Sequence, residues 1–561
     1  MALHTGAADE RSNDYFGNPV NHVARQLAVA HGGQTLVSEV THGLCQDRLP
    51  IGSSLKALGT HGLTDIARPE EIFQLCHAGL RAAFPPLRAA ATRAVVDATP
   101  SIAVLPFVNM SRDDENEYFA DGLSEELVNV LSRIAGLRVP SRTSAFYFKG
   151  KDVDLATIAQ KLGVATILEG SVRKSGNRVR ITAQLIQVAS DSHLWSKTYD
   201  RQLDDIFAVQ DDIAQSVVKE LRSALLPAES DACEGAAVEA EVQAARKGRG
   251  DNAEAYRLYL HGRFLVERRT QAELSKGIAY LRNAIDIDPG YALAWAALSY
   301  ALHVEAAAWT QSAQGFEDAR EAAARALALE PDLAEAHVAL GAIQSSYDWD
   351  WAAATASIQR ALILAPENAG TLLAAARGAS DLGRHEEAIA LSRRAIAIDP
   401  LNVRGHRYLG IFCHRGGLLA EAEAAFQEAI ELGPHSGMTR FGLGLVYLEQ
   451  GRAAEALAEV EHESHEAFHL LGEAVSCHAL GEETRSAKAL AQLTALLPPN
   501  LYLVAKAHAY RGEIDEAFEW LDRAYAQRNS GLSEMMDEML LRNLMGDPRW
   551  RPFLRKMQLA H

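Results

Sequence analysis

The sequence predicts a multidomain protein: a short α+β segment, a small α/β domain and a long all-α solenoid of paired helices. Three observations carry this. A phrase closing on proline recurs through the second half of the chain, strand and helix patterns alternate between residues 100 and 226, and two stretches without apolar periodicity, 81–99 and 227–250, lie between. The expected division is therefore 1–80, a linker at 81–99, 100–226, a linker at 227–250, and 251–561. Lys plus Arg number 55 against 73 Asp plus Glu among 561 residues, a net charge of −18. That balance argues against nucleic acid or an anionic membrane surface as the main partner. The five cysteines, Cys45, Cys76, Cys233, Cys413 and Cys477, form no CxxC pair and read as free thiols of a reducing compartment. No apolar run reaches the length of a membrane span, and the first residues lack a basic segment followed by an apolar one. A cytoplasmic location is expected.

In the first region Asn18-Pro19 opens a helix expected over Val20–Ala30, proline being tolerated in a first turn. Asn21 and Arg25 stand four apart on it and so share a face, with Asp14 on the entering segment. After the Gly32-Gly33 turn, Thr35–Ser38 reads as a strand. A carboxylate, a carboxamide and a guanidinium converging there suit a base, a sugar and a phosphate, and the Arg fork matches phosphate oxygens. In the second region Ile102–Phe107 reads as a buried strand, Gly122–Ile134 and Leu155–Leu162 as helices, and Ile167–Arg173 pairs through Ser175-Gly176-Asn177 with an alternating strand at 178–185. Ile206–Leu221 closes as a helix.

The third region repeats. AIDIDP, ALALEP, ALILAP, AIAIDP and AIELGP end on Pro289, Pro331, Pro366, Pro400 and Pro434, the last three intervals being 35, 34 and 34 residues. Leu409-Gly410 fall on one helix and Ala422, Phe426 and Ala429 stripe the next; Leu340-Gly341 with Ala354, Ile358 and Ala361 repeat the arrangement. Small residues let paired helices approach, and proline ends the second helix of each pair. Leu443, Gly444, Tyr447, Gly451 and Ala456 continue the pattern, as do Tyr510, Gly512, Ala517 and Leu521. These residues resemble the tetratricopeptide repeat, in seven or eight copies over about 270 residues, stacked into a solenoid with a concave surface for a protein or peptide ligand.

Two further resemblances follow. SIAVLPFVNMS, EYFADGLSEEL, LEGSVRKSGNRVRITAQLI, HLWSKTYDR and FAVQDDIA resemble the TolB-like N-terminal domain, an α/β module found ahead of tetratricopeptide arrays in bacterial signalling proteins. It implies an interaction or spacer role. ALHTG (2–6), DYFGNPVNHVARQLAVAHGGQTLVS (14–38) and LGTHGLTDIARPEEIFQL (58–75) resemble the C-terminal half of a class III adenylate/guanylate cyclase domain. The resemblance implies that Asp14 selects adenine, and so ATP, while Asn21 and Arg25 act on the transition state. It also implies a homodimer with shared sites, and two Mg²⁺ or Mn²⁺ ions held by aspartates upstream of the HTG phrase. No such pair precedes it in this sequence, so the chain as written is expected to make no cyclic AMP alone. Leu63-Thr64-Asp65 stands where many relatives carry lysine, and without the first strand of the cyclase sheet Leu36, Val37 and Phe73 are expected to be uncovered.

Other motifs were weighed. His465-Glu466-Ala-Phe-His469 fits HExxH, with His462 close by and Gly472 extending the match, but Leu471-Gly472 is also the repeat's own pair, which favours a repeat junction. RDDENE (112–117) reads as a solvated loop, and Trp349 and Trp351 as packing the turn of their repeat rather than caging a ligand. The expected function is cyclic-nucleotide signalling by an adenylate cyclase-family protein whose repeats bind a protein. The alternative is a non-enzymatic scaffold.

Overall fold

The computed structural model describes residues 2–5, 9–11, 14–16, 22–23, 26–27, 29–31, 33–45, 48–50, 52–61, 70–77, 79–81, 84 and 87 of the first hundred. Beyond these it describes 100–111, 117–134, 136–190, 192–202, 206–223, 248, 250, 252–267, 270–496 and 500–559. Two compact units emerge, Met1–Thr99 and Pro100–His561.

In the first unit, β1 (Ala2–Leu3) pairs parallel with β4 (Leu36–Ser38), which pairs antiparallel with β6 (Glu70–His77), and β6 pairs with β5 (Ser53–His61). A separate antiparallel ribbon joins β2 (Asp9–Arg11) to β3 (Asp14–Phe16). The strand expected at Thr35–Ser38 is present as β4. Leu36, Val37 and Phe73 are buried, contrary to the expectation that they lie uncovered. Val29 and Ala30 share a core with Leu36 and Ile72, and the His42 ring stacks on Phe73 at 3.7 Å. The exposed large apolar side chains among the described residues of this unit are instead Leu3, Leu27, Val40, Leu44 and Leu80.

The second unit begins with an α/β sheet. β7 (Ile102–Val104) and β8 (Val108–Asn109) both run parallel to β9 (Thr166–Ser175), which continues through β10 (Arg178–Gln187) to β11 (Ser192–Gln202). The first strand stops at Val104, short of the expected Phe107. Pro106 has no N–H for the ladder, and the Phe107 amide donates instead to the Ser124 hydroxyl at 2.9 Å. The edge strand β11 was not foreseen. The Glu117–Leu131 helix starts five residues before the expected Gly122, because that glycine is a packing residue and not a start signal. A Cβ there would lie 2.2 Å from Leu260 Cδ1, so its absence admits the Ala253–Glu267 helix. The Leu155–Leu162 helix is as expected, with Asp154 accepting from the Thr157 amide at its start. Buried residues from Ile102 to Ile343 form one continuous core, which joins the sheet to the first repeats.

Eight helix pairs follow among the described residues, from Ala253–Glu267 with Gln271–Ile287 to Leu501–Tyr510 with Ile514–Ala526. Helices end at Ile287, Leu329, Leu364, Ile398 and Leu432, each two residues before the phrase's proline, which cannot continue the ladder. The Leu-Gly pairs do what their size implies. A Cβ on Gly410 would stand 2.9 Å from the Phe426 ring, and one on Gly341 2.9 Å from Ile358. In the second and third pairs the first helix ends in a π turn, Ala306–Thr310 and Gln344–Asp348, followed by Gln311 and Trp349 at positive φ. After the last pair the chain forms two 3₁₀ turns, Ser530–Glu534 and Met539–Leu544, and the Trp550–Lys556 helix. Among the described residues no helix is long and apolar enough to cross a membrane.

Candidate functional site

Three places were singled out by sequence. Of the nucleotide-site residues, Asn21 and Arg25 lie outside the described residues, as does Leu63-Thr64-Asp65. Asp14 opens β3, paired in register with Arg11. Among the described residues of the first unit a polar network is visible that sequence reasoning missed. The His22 ring, next to Asn21, stacks on His4 of the HTG phrase at 3.8 Å, and His4 Nδ1 lies 3.0 Å from the Ser38 hydroxyl. Ser38 donates to the Thr41 hydroxyl at 3.0 Å, and Thr5 and Thr41 are also 3.0 Å apart. The HTG phrase thus ties the end of β1 to the helical residue His22 and to β4; its polar residues just after a short strand were the available signal. Beneath, Gln34 donates to Gln74 in a buried pair at 2.9 Å. Among the described residues no three His, Cys, Asp or Glu side chains gather as a metal would require, so a donor set for Mg²⁺ or Mn²⁺ is not assembled there.

The HExxH residues sit on a repeat junction. His465 is the residue before the Glu466–Ala479 helix, not within it, and burial lowers its pKa. His469 Nδ1 is 2.8 Å from the Val460 carbonyl and its Nε2 faces Glu473 at 4.0 Å, while the His465 ring packs edge-on against Phe468. A Cβ on Gly472 would meet Val460 at 2.6 Å, the contact of a repeat glycine. Of the acidic run, only Glu117 is described: it starts a helix and pairs with Lys149 at 2.5 Å.

The third place is the repeat array, where the α/β module is anchored. The Ser141 amide and hydroxyl both donate to Asp399, the amide at 3.1 Å, and Ser144 accepts from the Leu401 amide at 3.0 Å. Asp399 is the acid of the AIDP phrase. Buried Glu125 bridges Arg142 of the module at 3.2 Å and Arg263 of the first repeat at 2.6 Å. Nothing local in the sequence marks the pairs that join the module to the array, whose members are more than 100 residues apart.

On the first helices of the repeats, and at His385 where a second helix begins, another set of polar residues meets the chain's own C-terminal segment. Arg377 pairs with Glu534 at 3.3 Å and with Asp381 at 3.7 Å; Arg415 donates to the Glu534 carbonyl at 3.0 Å and to Ser380 at 3.2 Å. His385 lies 2.8 Å from Asp537, buried Lys506 3.3 Å from buried Glu538, and Glu449 2.6 Å from Arg542. Burial pushes the Asp381 carboxyl up to about 7, against the opposing pull of Arg377. Trp349 and Trp351 belong to this region: Trp349 stacks on Tyr525 at 5.1 Å, and the Trp351 indole donates to the Met557 carbonyl at 2.8 Å. Both side chains are buried, but the contacts of their rings are with the end of the chain.

This geometry defines a tetratricopeptide array fused to an α/β module. The comparisons agree for the repeats: the tetratricopeptide repeat family model matches residues 373–437. Residues 98–216, read above as TolB-like, match the model of the HilA/YgeH-like transcriptional regulator, second domain. The chain is 37% identical over 300 residues to a Rhizobium meliloti (strain 1021) protein named "Putative adenylate cyclase 3", covering 53% of this chain and 48% of that one. It is 44% identical over 90 residues to an uncharacterized protein of Mycobacterium tuberculosis (strain ATCC 25618 / H37Rv), covering 16% of this chain and 32% of that one. The chain thus spans about half or less of the length of the curated relatives it matches. A tetratricopeptide repeat protein from Parabacteroides merdae ATCC 43184 superposes with a TM-score of 0.34 at 15% identity, over 48% of this chain and 99% of that one.

Proposed function

We propose that this chain is the protein-binding and regulatory part of an adenylate cyclase-family signalling protein, carrying in its first unit one half of a nucleotide-cyclising site. The observation that carries the reading is the 37% identity with the Rhizobium meliloti protein over 300 residues. In this reading ATP is the substrate and cyclic AMP and pyrophosphate are the products. Asp14 accepts from the adenine amino group, where guanine offers a carbonyl. Asn21 orients the ribose, and Arg25 stabilises charge growing at the α-phosphate, a contribution largest where water is excluded. The described residues assemble no donor set for the metal ions. Sites shared between subunits would make the working form a dimer, as class III resemblance implies.

The repeat array supports the second half of the reading. Each helix pair leaves faces that a partner can use, and the α/β module is held on the fourth repeat through Asp399. A scaffold without enzymatic activity is the competing reading, favoured by the repeats alone. The deciding experiment is cyclic AMP formation from ATP and Mn²⁺. The chain alone is expected to be silent, and fusing an aspartate-bearing cyclase half ahead of Met1 should produce turnover. Silence of the fusion with ATP bound normally would favour the scaffold.

A further inference from the structure

The first helices of the repeats are already engaged. Residues Asn529–Leu544 lie against them across much of the array. Ser530 meets Gln311 at 3.2 Å, Glu534 meets Arg377 and Arg415, Asp537 meets His385, Glu538 meets Lys506, and Arg542 meets Glu449. Apolar side chains alternate with these polar ones: Leu532, Met535, Leu540, Leu541 and Leu544 are fully buried. The segment carries Glu534, Asp537 and Glu538 against the single Arg542, while its partners on the repeats include Arg377, Arg415 and Lys506. The fit is that of an acidic, apolar ligand in a basic-lined receptor.

The seam is imperfectly satisfied. His385 Nδ1 and the Tyr502 hydroxyl are buried and make no hydrogen bond, and Arg377 Nε faces Asp381 Oδ2 only across 3.7 Å. All four flank the segment: Tyr502 Cδ1 lies 2.9 Å from where a Cβ on Gly531 would stand, and the others adjoin Glu534 and Asp537. Buried polar atoms left unpaired oppose the bound state, so the contact is held below its full strength.

We propose that this face of the array is a receptor for acidic segments bearing spaced leucine and methionine side chains, occupied in cis by Asn529–Leu544, and that a partner segment of the same chemistry displaces it. This rests on the protein-binding reading of the array given above. Because binding in trans requires the open form, the apparent affinity for a partner falls by the fraction of chains that are open. Weakening the cis contact should therefore tighten binding in trans.

The test uses the full chain and a labelled synthetic peptide of residues 528–546. Fluorescence anisotropy gives its affinity for the wild type and for Glu534→Arg, whose own segment then faces Arg377 and Arg415 with like charge. The expected result is about tenfold tighter binding to the variant, with hydrogen exchange of residues 530–544 accelerated and the repeat helices unchanged. Should Glu534→Arg lose its helical circular dichroism, Glu534→Gln gives the same comparison with a smaller shift. A variant whose segment is released yet binds no peptide overturns the exchange, while leaving the array free to bind proteins elsewhere. Unchanged protection of 530–544 in both variants also overturns it, since the segment would then be permanent core.

Discussion

The first unit and the repeat array bury apolar surface by opposite routes. In the array, Gly410 exists for Phe426 sixteen positions on, and Gly341 for Ile358 seventeen on. Each contact lies within one helix pair, and the next pair repeats it. In the first unit, Leu3 pairs with Val37 and Val37 with Phe73, so beyond the β5–β6 pair the sheet is closed by segments more than thirty residues apart. Local contacts carry little loop-closure entropy and recur as a period; distant pairings carry more and leave no period to read. The array is accordingly modular, whereas the four-stranded sheet of the first unit depends on pairing that no single stretch specifies.

Mutations can break or sharpen this contrast. The largest effect should fall on chemistry in the first unit. In a fusion that restores turnover, Arg25→Ala should reduce kcat by about 10²–10³-fold while shifting ATP affinity less, and Asp14→Ala should erase the preference for ATP over GTP in initial-rate assays. A loss confined to KM would mean Arg25 binds ground and transition states alike.

Next comes packing. Gly410→Leu drives a side chain into the Phe426 ring and should cost about 1–3 kcal/mol in the denaturant transition of the array. The first unit, a separate compact body, should keep its own transition. If the array's midpoint does not move, the pairing of these two helices is misassigned.

A pH dependence comes third. The folded pKa of Asp381 is raised from 3.8 to about 7, chiefly by burial, among Arg377, Arg415 and Glu534. The folded state therefore holds the proton more tightly than the unfolded one. Its stabilising effect is complete below pH 3.8 and is lost as pH rises through about 7. Wild type minus Asp381→Asn stability, measured by urea melts from pH 4 to pH 8, should fall across that interval and then level off. A flat difference would place Asp381 in contact with water. The smallest effect should be Leu44→Ser, at a side chain 66% exposed in the first unit, with a change within about 0.5 kcal/mol.

What could be read from the residues alone divides along the same line. Pro366, Pro400 and Pro434 with the Leu-Gly pairs predict the helix pairs, because helix ends and close approaches are decided within a few turns of chain. The turn at Gly176-Asn177 and the Leu155–Leu162 helix were legible for the same reason. Gly122 misled, since a glycine admitting Leu260 looks in sequence like one that opens a helix. The HExxH residues read as a repeat junction through Leu471-Gly472, but the bond from His469 to the Val460 carbonyl at 2.8 Å was not legible. In the first unit the spacing of Asp14, Asn21 and Arg25 was legible, but not the His4–His22 stack. The tertiary structure alone decided that Ser141 docks on Asp399, that Trp351 reaches the Met557 carbonyl, and that Glu534 lies between Arg377 and Arg415. Each joins residues more than 100 positions apart through one or two polar atoms. Such contacts have no period and no local propensity, so they become visible only when the stacked repeats bring the two parts of the chain together.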